Sequence, residues 1–162
     1  MPPGKITQKK RIDFQDLMLY RVHEILLVAS PYDAFILEED GRLTEQILHE
    51  YIGMNFNYAP RVWQANSAKA ALEMLSKRKL DIVIVMMRIA DMNPLSFGLK
   101  VKKMYPRKPV ILLAFDESEI KQLPEETLQN SVDRVFVWSG NANVFPAIIK
   151  QIEDRRNSKR DI

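Results

Sequence analysis

The sequence predicts a three-layer α/β fold, with helices on both faces of a five-stranded parallel sheet. Five short apolar segments alternate along the chain with longer segments whose apolar residues recur at helical spacing. The short segments are continuously apolar, which is typical of parallel strands that helices cover on both faces. With right-handed crossovers, we expect a doubly wound sheet in the common five-stranded order 2-1-3-4-5.

The five predicted strands are short and rich in branched apolar residues. They occupy residues 25–28, 62–65, 82–87, 110–115 and 135–138. The second is the weakest of them, and Pro109 opens the fourth. Because the strands are expected to be parallel, their carboxyl ends should meet at one edge of the sheet.

Helix-start residues follow several of these strands. Ser67 is the predicted N-cap of the helix after the second strand, and Asn93 with Pro94 predicts the cap and first turn of a helix to Met104. Two more helical segments complete the alternation, one over residues 116–123, which Pro124 ends, and one from about residue 143.

The first crossover is unusually long, and an additional helix precedes the first strand. Residues 31–39 and 42–51 both have helical character and are separated by Asp40-Gly41. Ahead of the first strand, Asp13 is the predicted cap of a helix over residues 14–22. We therefore expect an enlarged first crossover and an extra N-terminal helix.

Length and composition indicate one domain without disulfides or membrane spans. The chain has 162 residues, of which 46% are apolar and 28% charged, as in a domain with a real core. It has no cysteine, which excludes disulfides and thiolate zinc sites. No apolar run approaches the roughly 20 residues of a membrane span, and no secretory signal occurs, so we expect a cytoplasmic protein. The expected divisions are a flexible basic leader (1–12), one domain (13–156) and a linker or tail (157–162).

Much of the modest net charge of +3 lies in two basic tails. Residues 5–11 and 155–160 hold clusters of the kind that can bind nucleic acid electrostatically. Solvated tails explain the same pattern, and we favour that interpretation, with a nucleic-acid-binding module as an alternative. None of the five glycines belongs to a glycine-rich phosphate loop.

Four segments of the chain, in the order in which they occur along it, resemble bacterial receiver domains of the response-regulator family. The best is DIVIVMMRIADMNP, residues 81–94, which is similar to the family's third strand and following loop. The others are ILLVAS at 25–30, PVILLA at 109–114 and DRVFVWS at 133–139. The resemblance covers roughly residues 24–155 and implies a flavodoxin-like (CheY-like) fold.

The same resemblance implies a receiver domain without phosphorylation chemistry. The family uses an acidic pair after the first strand, an aspartate ending the third, a hydroxyl ending the fourth and a lysine ending the fifth. These groups bind magnesium, attack phosphorus and neutralise the transferred group. The matching positions here hold Ala29 and Ser30, Met86, Ala114 and Trp138. No carboxylate nucleophile and no cation remain, so we predict no catalytic, metal or cofactor residues.

Other acids are candidates for a displaced site. Asp33, Asp91 and Asp116 lie on loops at the expected carboxyl edge, and a phosphorelay receiver that uses Asp91 or Asp116 is the alternative function. Turns and helix starts explain Asp91 and Asp116 more simply. His23 and His49 are isolated in the sequence, and we expect ordinary surface or packing roles for them.

A longer match suggests a biological setting. Residues 20–43, with the long first crossover, resemble the receiver-like segment ahead of the phosphotransferase part of some bacterial phosphoenolpyruvate-synthase-like proteins. Two further departures from receivers are Val135 at the aromatic switch position and Ser139 where a proline usually follows the lysine. The resemblance implies a regulatory, protein-interaction module that is not itself an enzyme. We expect a protein or intramolecular domain partner, with a homodimer as an alternative, and no membrane partner.

Overall fold

The computed structural model describes residues 20–39, 42–50, 59–139 and 144–160. The strands are β1 (Glu24–Val28), β2 (Arg61–Ala65), β3 (Ile82–Met86), β4 (Val110–Ala114) and β5 (Arg134–Val137). The helices are α1 (Pro31–Glu39), α2 (Leu43–Glu50), α3 (Ala68–Lys77), α4 (Pro94–Met104), α5 (Glu117–Lys121), α6 (Glu125–Ser131) and α7 (Val144–Arg160).

The five strands form one parallel sheet in the order β2-β1-β3-β4-β5. This confirms the predicted fold, and each predicted strand agrees with an observed one to within a residue at either end. In the register, Val28 pairs with Ala65 on one side and Val85 on the other, while Met86 pairs with Leu113. The carboxyl ends of the strands therefore lie along one edge of the sheet.

Each face of the sheet has its own layer of helices and its own apolar cluster. On one face, α1, α2 and α7 contribute Leu37, Ile47 and Ile148 to the cluster. On the other face, α3 and α4 contribute Leu75 and Phe97. The central strands β3 and β4 are buried along their whole length, as expected for strands covered on both sides. In the part of the chain that the structure describes, every helix is too short or too polar to cross a membrane.

Two predicted helix caps are confirmed. The Ser67 hydroxyl accepts a hydrogen bond from the Ala70 amide at 3.1 Å, and the Asn93 side-chain oxygen accepts one from the Leu95 amide at 2.8 Å. Pro94 occupies the first position of α4, where its missing N–H costs no helical hydrogen bond.

The segment around Pro124 differs from the prediction. The helix expected over residues 116–123 ends at Lys121, and Pro124 precedes a further helix, α6, that we did not predict. Proline is compatible with a helix start because it lacks only an N–H that has no helical acceptor there. Glu125 and Glu126 then place negative charge at the positive end of α6.

The predicted N-terminal helix over 14–22 lies mostly outside the described residues. Its last three positions, residues 20–22, are not helical and lead directly into β1. The Tyr20 amide donates to Asn157 at 2.6 Å, and the Val22 amide donates to Glu153 at 2.7 Å. Side chains of α7 thus bind amides that a helix would have bonded internally. Helix α7 itself continues to Arg160, through part of the expected linker.

Helices α4 and α6 approach each other closely at Gly98. A Cβ atom at this position would lie 2.5 Å from the carbonyl oxygen of Ser131. That oxygen belongs to the backbone and cannot rotate away as a side chain would. The absence of a side chain at Gly98 therefore sets how closely α6 packs against α4.

Candidate functional site

The carboxyl edge of the sheet is closed by neutral, tightly packed side chains. Ala29, Met86 and Ala114 lie at the ends of β1, β3 and β4 and are 1%, 1% and 0% exposed, and Trp138, immediately after β5, is 9% exposed. The parallel register places these ends on neighbouring strands. The structure thus brings the sequence-predicted positions to one edge, where they form part of the core.

Trp138 occupies the end of β5 with a large ring. Its indole meets the Phe115 ring edge to face, with 5.5 Å between centroids and an interplanar angle of 65°. Its backbone N–H donates to the Ala114 carbonyl at 2.8 Å. The indole N–H is buried and has no acceptor among the described residues. The ring is therefore held by packing and by its backbone, and it presents no positive charge.

Ser30 is occupied with the start of α1. Its hydroxyl accepts a hydrogen bond from the Asp33 amide at 3.1 Å, which makes Ser30 the N-cap of α1. Its own N–H donates to the Arg88 carbonyl in the loop after β3, at 2.9 Å. The hydroxyl of Ser30 thus stabilises the start of α1, and its amide links this segment to the loop after β3.

Asp33 is fully buried and paired with Arg88. The Arg88 Nε and Nη2 atoms donate to the two carboxylate oxygens at 3.1 and 2.8 Å. Such two-pronged pairs are among the strongest hydrogen-bonded contacts in proteins. Both oxygens of Asp33 have a cationic partner, so Asp33 is a structural anchor of α1. Arg88 was not among the predicted site residues; the signal for it in the sequence is a lone positive charge within an apolar stretch.

Asp91 and Asp116 each bind the beginning of a helix. Asp91 accepts hydrogen bonds from the Ala68 and Lys69 amides of α3 at 2.7 and 3.1 Å, and these bonds hold its pKa below the ordinary value. Asp116 caps α5 and accepts from the Ser118 amide at 3.0 Å, which lowers its pKa as well. The two carboxylates serve different helices and share no partner among the described residues.

The donor set of this edge does not suit a magnesium ion. Magnesium in proteins requires an octahedron of oxygen ligands, including carboxylates, whereas these strand ends supply methyl groups, a thioether and an indole. In the described ranges, no three His, Asp or Glu side chains are grouped so that they could hold a metal ion. His23 is exposed, and the side chain of His49 lies outside the described residues. The described side chains at these strand ends contribute packing to the core.

Solved receiver domains share this architecture. A signal receiver domain of an HD domain-containing protein from Pseudomonas fluorescens Pf-5 aligns with a TM-score of 0.63 and 21% identity, covering 89% of this chain and 96% of that one. The chemotaxis response regulator CheY4 of Vibrio cholerae aligns with a TM-score of 0.60 and 16% identity, covering 81% of this chain and 98% of that one. The response regulator TrrA from Thermotoga maritima, in complex with Mg²⁺-BeF, aligns with a TM-score of 0.61 and 18% identity, covering 80% of this chain and 98% of that one.

These similarities establish the fold and nothing finer. No family model matches the chain, and no curated protein sequence matches it. The CheY-like arrangement is therefore shown by topology and by superposition, while any role must be argued from the side chains on the fold.

Proposed function

We propose that this chain is a receiver-like regulatory domain that accepts no phosphoryl group and acts through contact with a protein or with another domain of its own polypeptide. The observation that carries the proposal is the burial of Ala29, Met86, Ala114 and Trp138 at the carboxyl edge. Phosphoryl transfer to a protein requires a nucleophile and positive charge around the transferred group. These four side chains supply neither.

The replacements also support one another physically. Several carboxylates close together repel each other and need a cation to remain ionised. With neutral residues at every strand end, that need disappears and the edge packs as core. An isolated loss would leave the other charged groups buried without partners, at a cost of several kcal/mol. The joint replacement therefore supports a stable non-phosphorylatable state.

The outer face of α1 supports a contact role. Tyr32 and Phe35 are 68% and 61% exposed, and their spacing of three residues places them on the same side of the helix. The opposite side of α1 is anchored inward by Ala34 and Leu37, both buried. Two large exposed aromatic rings on one rigid helix are typical of protein-binding surfaces. This surface lies within about one helical turn of Ser30, beside the carboxyl edge of the sheet.

The larger setting is proposed from the sequence resemblance. The match of residues 20–43 to the receiver-like segment of phosphoenolpyruvate-synthase-like proteins supports a role as the N-terminal module of such an enzyme. In that setting the domain would regulate or dock the catalytic part without taking part in its chemistry.

Phosphorylation is tested most directly by intact-mass measurement after incubation with acetyl phosphate and magnesium. We expect no added phosphoryl group, under conditions in which a phosphorylatable receiver domain is modified in parallel. The variants Asp91→Asn and Asp116→Asn are measured beside the wild-type chain. An adduct that forms on the wild type and disappears in either variant would establish the displaced-aspartate alternative and overturn the proposal.

A further inference from the structure

The opposite, amino-terminal edge of the sheet carries two adjoining cavities. One has a volume of about 520 Å³ and extends toward Asp133 and the last turns of α7. The other has a volume of about 510 Å³ and extends toward Lys79 and Asp81. They share Tyr20, Pro106, Arg107 and Arg156 in their walls. Together they form one groove, which we call the basic groove, and each half has the size typical of a small-molecule site.

The walls of the basic groove are strongly positive. They contain two carboxylates, Asp81 and Asp133, against six cationic side chains: Lys79, Lys102, Arg107, Lys108, Arg155 and Arg156. The excess of four positive charges is larger than the net charge of +3 of the whole chain. Positive charge is thus concentrated in one concave place, where walls of low dielectric strengthen its field.

Both carboxylates of the groove are already engaged by backbone amides. Asp81 accepts hydrogen bonds from the His23 and Glu24 amides at 2.8 and 2.9 Å. Asp133 accepts from the Val110 amide at 2.8 Å and pairs with Lys102. These bonds fasten the starts of the strands. A hydrogen bond from a neutral amide leaves a carboxylate charged, so Asp81 and Asp133 each still offset one cation, and the groove keeps an excess of four positive charges.

The arginines are partly preorganised. Arg156 donates to the Arg107 carbonyl at 2.9 Å, and its guanidinium lies 4.8 Å from the centre of the Tyr20 ring. Among the described side chains, Arg107, Arg155 and Arg156 form no ion pair with a carboxylate. Burial is the main cause of the lowered pKa of Lys108; the charge of Asp81 opposes it, and the charges of Arg156 and Lys79 lower the pKa further. Cations that repel one another in a fixed cavity favour an anionic ligand.

We propose that the basic groove binds the oligophosphate group of a small ligand, such as a nucleoside triphosphate or inorganic pyrophosphate. Guanidinium groups match phosphate oxygens with paired hydrogen bonds. An oligophosphate brings three or four negative charges into a few ångströms, which matches this excess of charge. An acidic peptide spreads its charges at roughly 3.4 Å per residue and would place most of them outside the cavities.

Isothermal titration of the full chain at low salt tests the site, with pyrophosphate, ATP and AMP as probes. We expect saturable binding of pyrophosphate and ATP, with AMP much weaker because it carries one phosphate. Pyrophosphate binding as tight as that of ATP would assign recognition to the phosphates alone. Tighter ATP binding would show that the nucleoside also contributes. Either result supports the site.

A matched pair of variants separates the groove from general charge. The double variant Arg107→Glu/Arg155→Glu reverses two exposed groove cations, and Lys100→Glu/Lys121→Glu makes the same charge change elsewhere on the surface. We expect the first to weaken ATP binding about tenfold or more and the second to change it by less than about twofold. Circular dichroism and thermal unfolding verify that both variants are folded.

Three results would overturn the inference. The first is no saturable binding of pyrophosphate or ATP up to millimolar concentrations. The second is an equal loss of binding in the two double variants, which would indicate non-specific attraction. The third is single-stranded nucleic acid that binds more tightly than ATP with an affinity rising with length, which would assign the groove to nucleic acid instead.

Discussion

The two edges of the sheet differ in almost every physical respect. At the carboxyl edge, Met86 and Ala114 are buried among neutral neighbours, and the buried charge of Asp33 is matched by Arg88. At the amino edge, Arg107 and Arg156 border an open groove with an excess of positive charge. Open α/β sheets ordinarily place their ligand sites at the carboxyl edge. In this molecule that edge is packed shut, and the opposite edge has the cavity and the charge.

The comparison shows that a fold and its usual site can be separated. The topology needs only buried strands and amphipathic helices, and neutral residues at the strand ends satisfy those needs as well as acids do. Neutral strand ends also avoid the mutual repulsion that a cluster of carboxylates would have without a cation. The CheY-like architecture is therefore compatible with neutral side chains at these strand ends.

Restoring an acid at the closed edge should have the largest effect. Met86→Asp places a carboxylate among apolar side chains at a fully buried position. Because the group must either ionise there or take up a proton at neutral pH, we expect a loss of about 4 kcal/mol in the free energy of unfolding. Urea unfolding measures it. The control Met86→Leu keeps the volume and should cost less than about 1.5 kcal/mol; equal losses in both variants would mean that charge is not the cause.

Substitutions of Trp138 test whether side-chain packing alone closes the carboxyl edge. Trp138→Ala should cost about 3 kcal/mol, since it leaves a cavity beside Phe115. Trp138→Phe removes the unpartnered indole N–H and keeps most of the ring, so we expect a change within about 1 kcal/mol. Both are measured by guanidinium unfolding. A large loss in Trp138→Phe would reveal that the indole N–H has an essential partner.

Breaking the ion pair between the buried Asp33 carboxylate and the exposed Arg88 side chain should have an intermediate effect. Arg88→Ala leaves the Asp33 carboxylate buried with neither of its Arg88 hydrogen bonds, and we expect a loss of about 2 kcal/mol. Arg88→Lys keeps the positive charge but not the paired hydrogen bonds, so its free energy of unfolding should lie between those of the wild type and Arg88→Ala. Urea unfolding at neutral pH measures both. If Arg88→Ala matches the wild type, the pair contributes nothing to α1.

The smallest expected effect is a pH dependence from Asp91. Its pKa in the folded chain lies below the ordinary value of 3.8, first because of the Ala68 amide and then because of the Lys69 amide. The unfolded chain therefore binds a proton more readily, so the stabilisation is complete above pH 3.8 and is lost as the pH falls through the folded pKa.

Acid titration of Asp91→Asn measures this dependence. The stability difference between wild type and variant should shrink as the pH falls below about 4. Glu73→Gln, on the exposed side of α3, should retain a wild-type acid limb. A difference that stays constant across the acid range would contradict a charged cap at Asp91.

Local features of the sequence predicted most of the fold. Ser67, Asn93 and Pro94 mark helix starts because their geometry is satisfied by residues within three positions of them. The sequence after Asp116 does not show where α5 ends and α6 begins, because both helices are short. A proline is compatible with either the end of a helix or the start of the next one. The predicted N-terminal helix is wrong at residues 20–22, because the amides of Tyr20 and Val22 bond to distant side chains of α7.

The sequence by itself determined the sheet, the helices and the neutral residues at each strand end, because apolar periodicity and residue type are local properties. Only the tertiary structure decided which charges meet. Asp33 and Arg88 are 55 positions apart in the chain, and the basic groove joins Tyr20 to Arg107 and Arg156. Exposed cations follow no periodic pattern, so their convergence depends on the strand register and on the path of α7. The neutral carboxyl edge could therefore be predicted from the sequence. The basic groove at the amino edge could be recognised only in the folded structure.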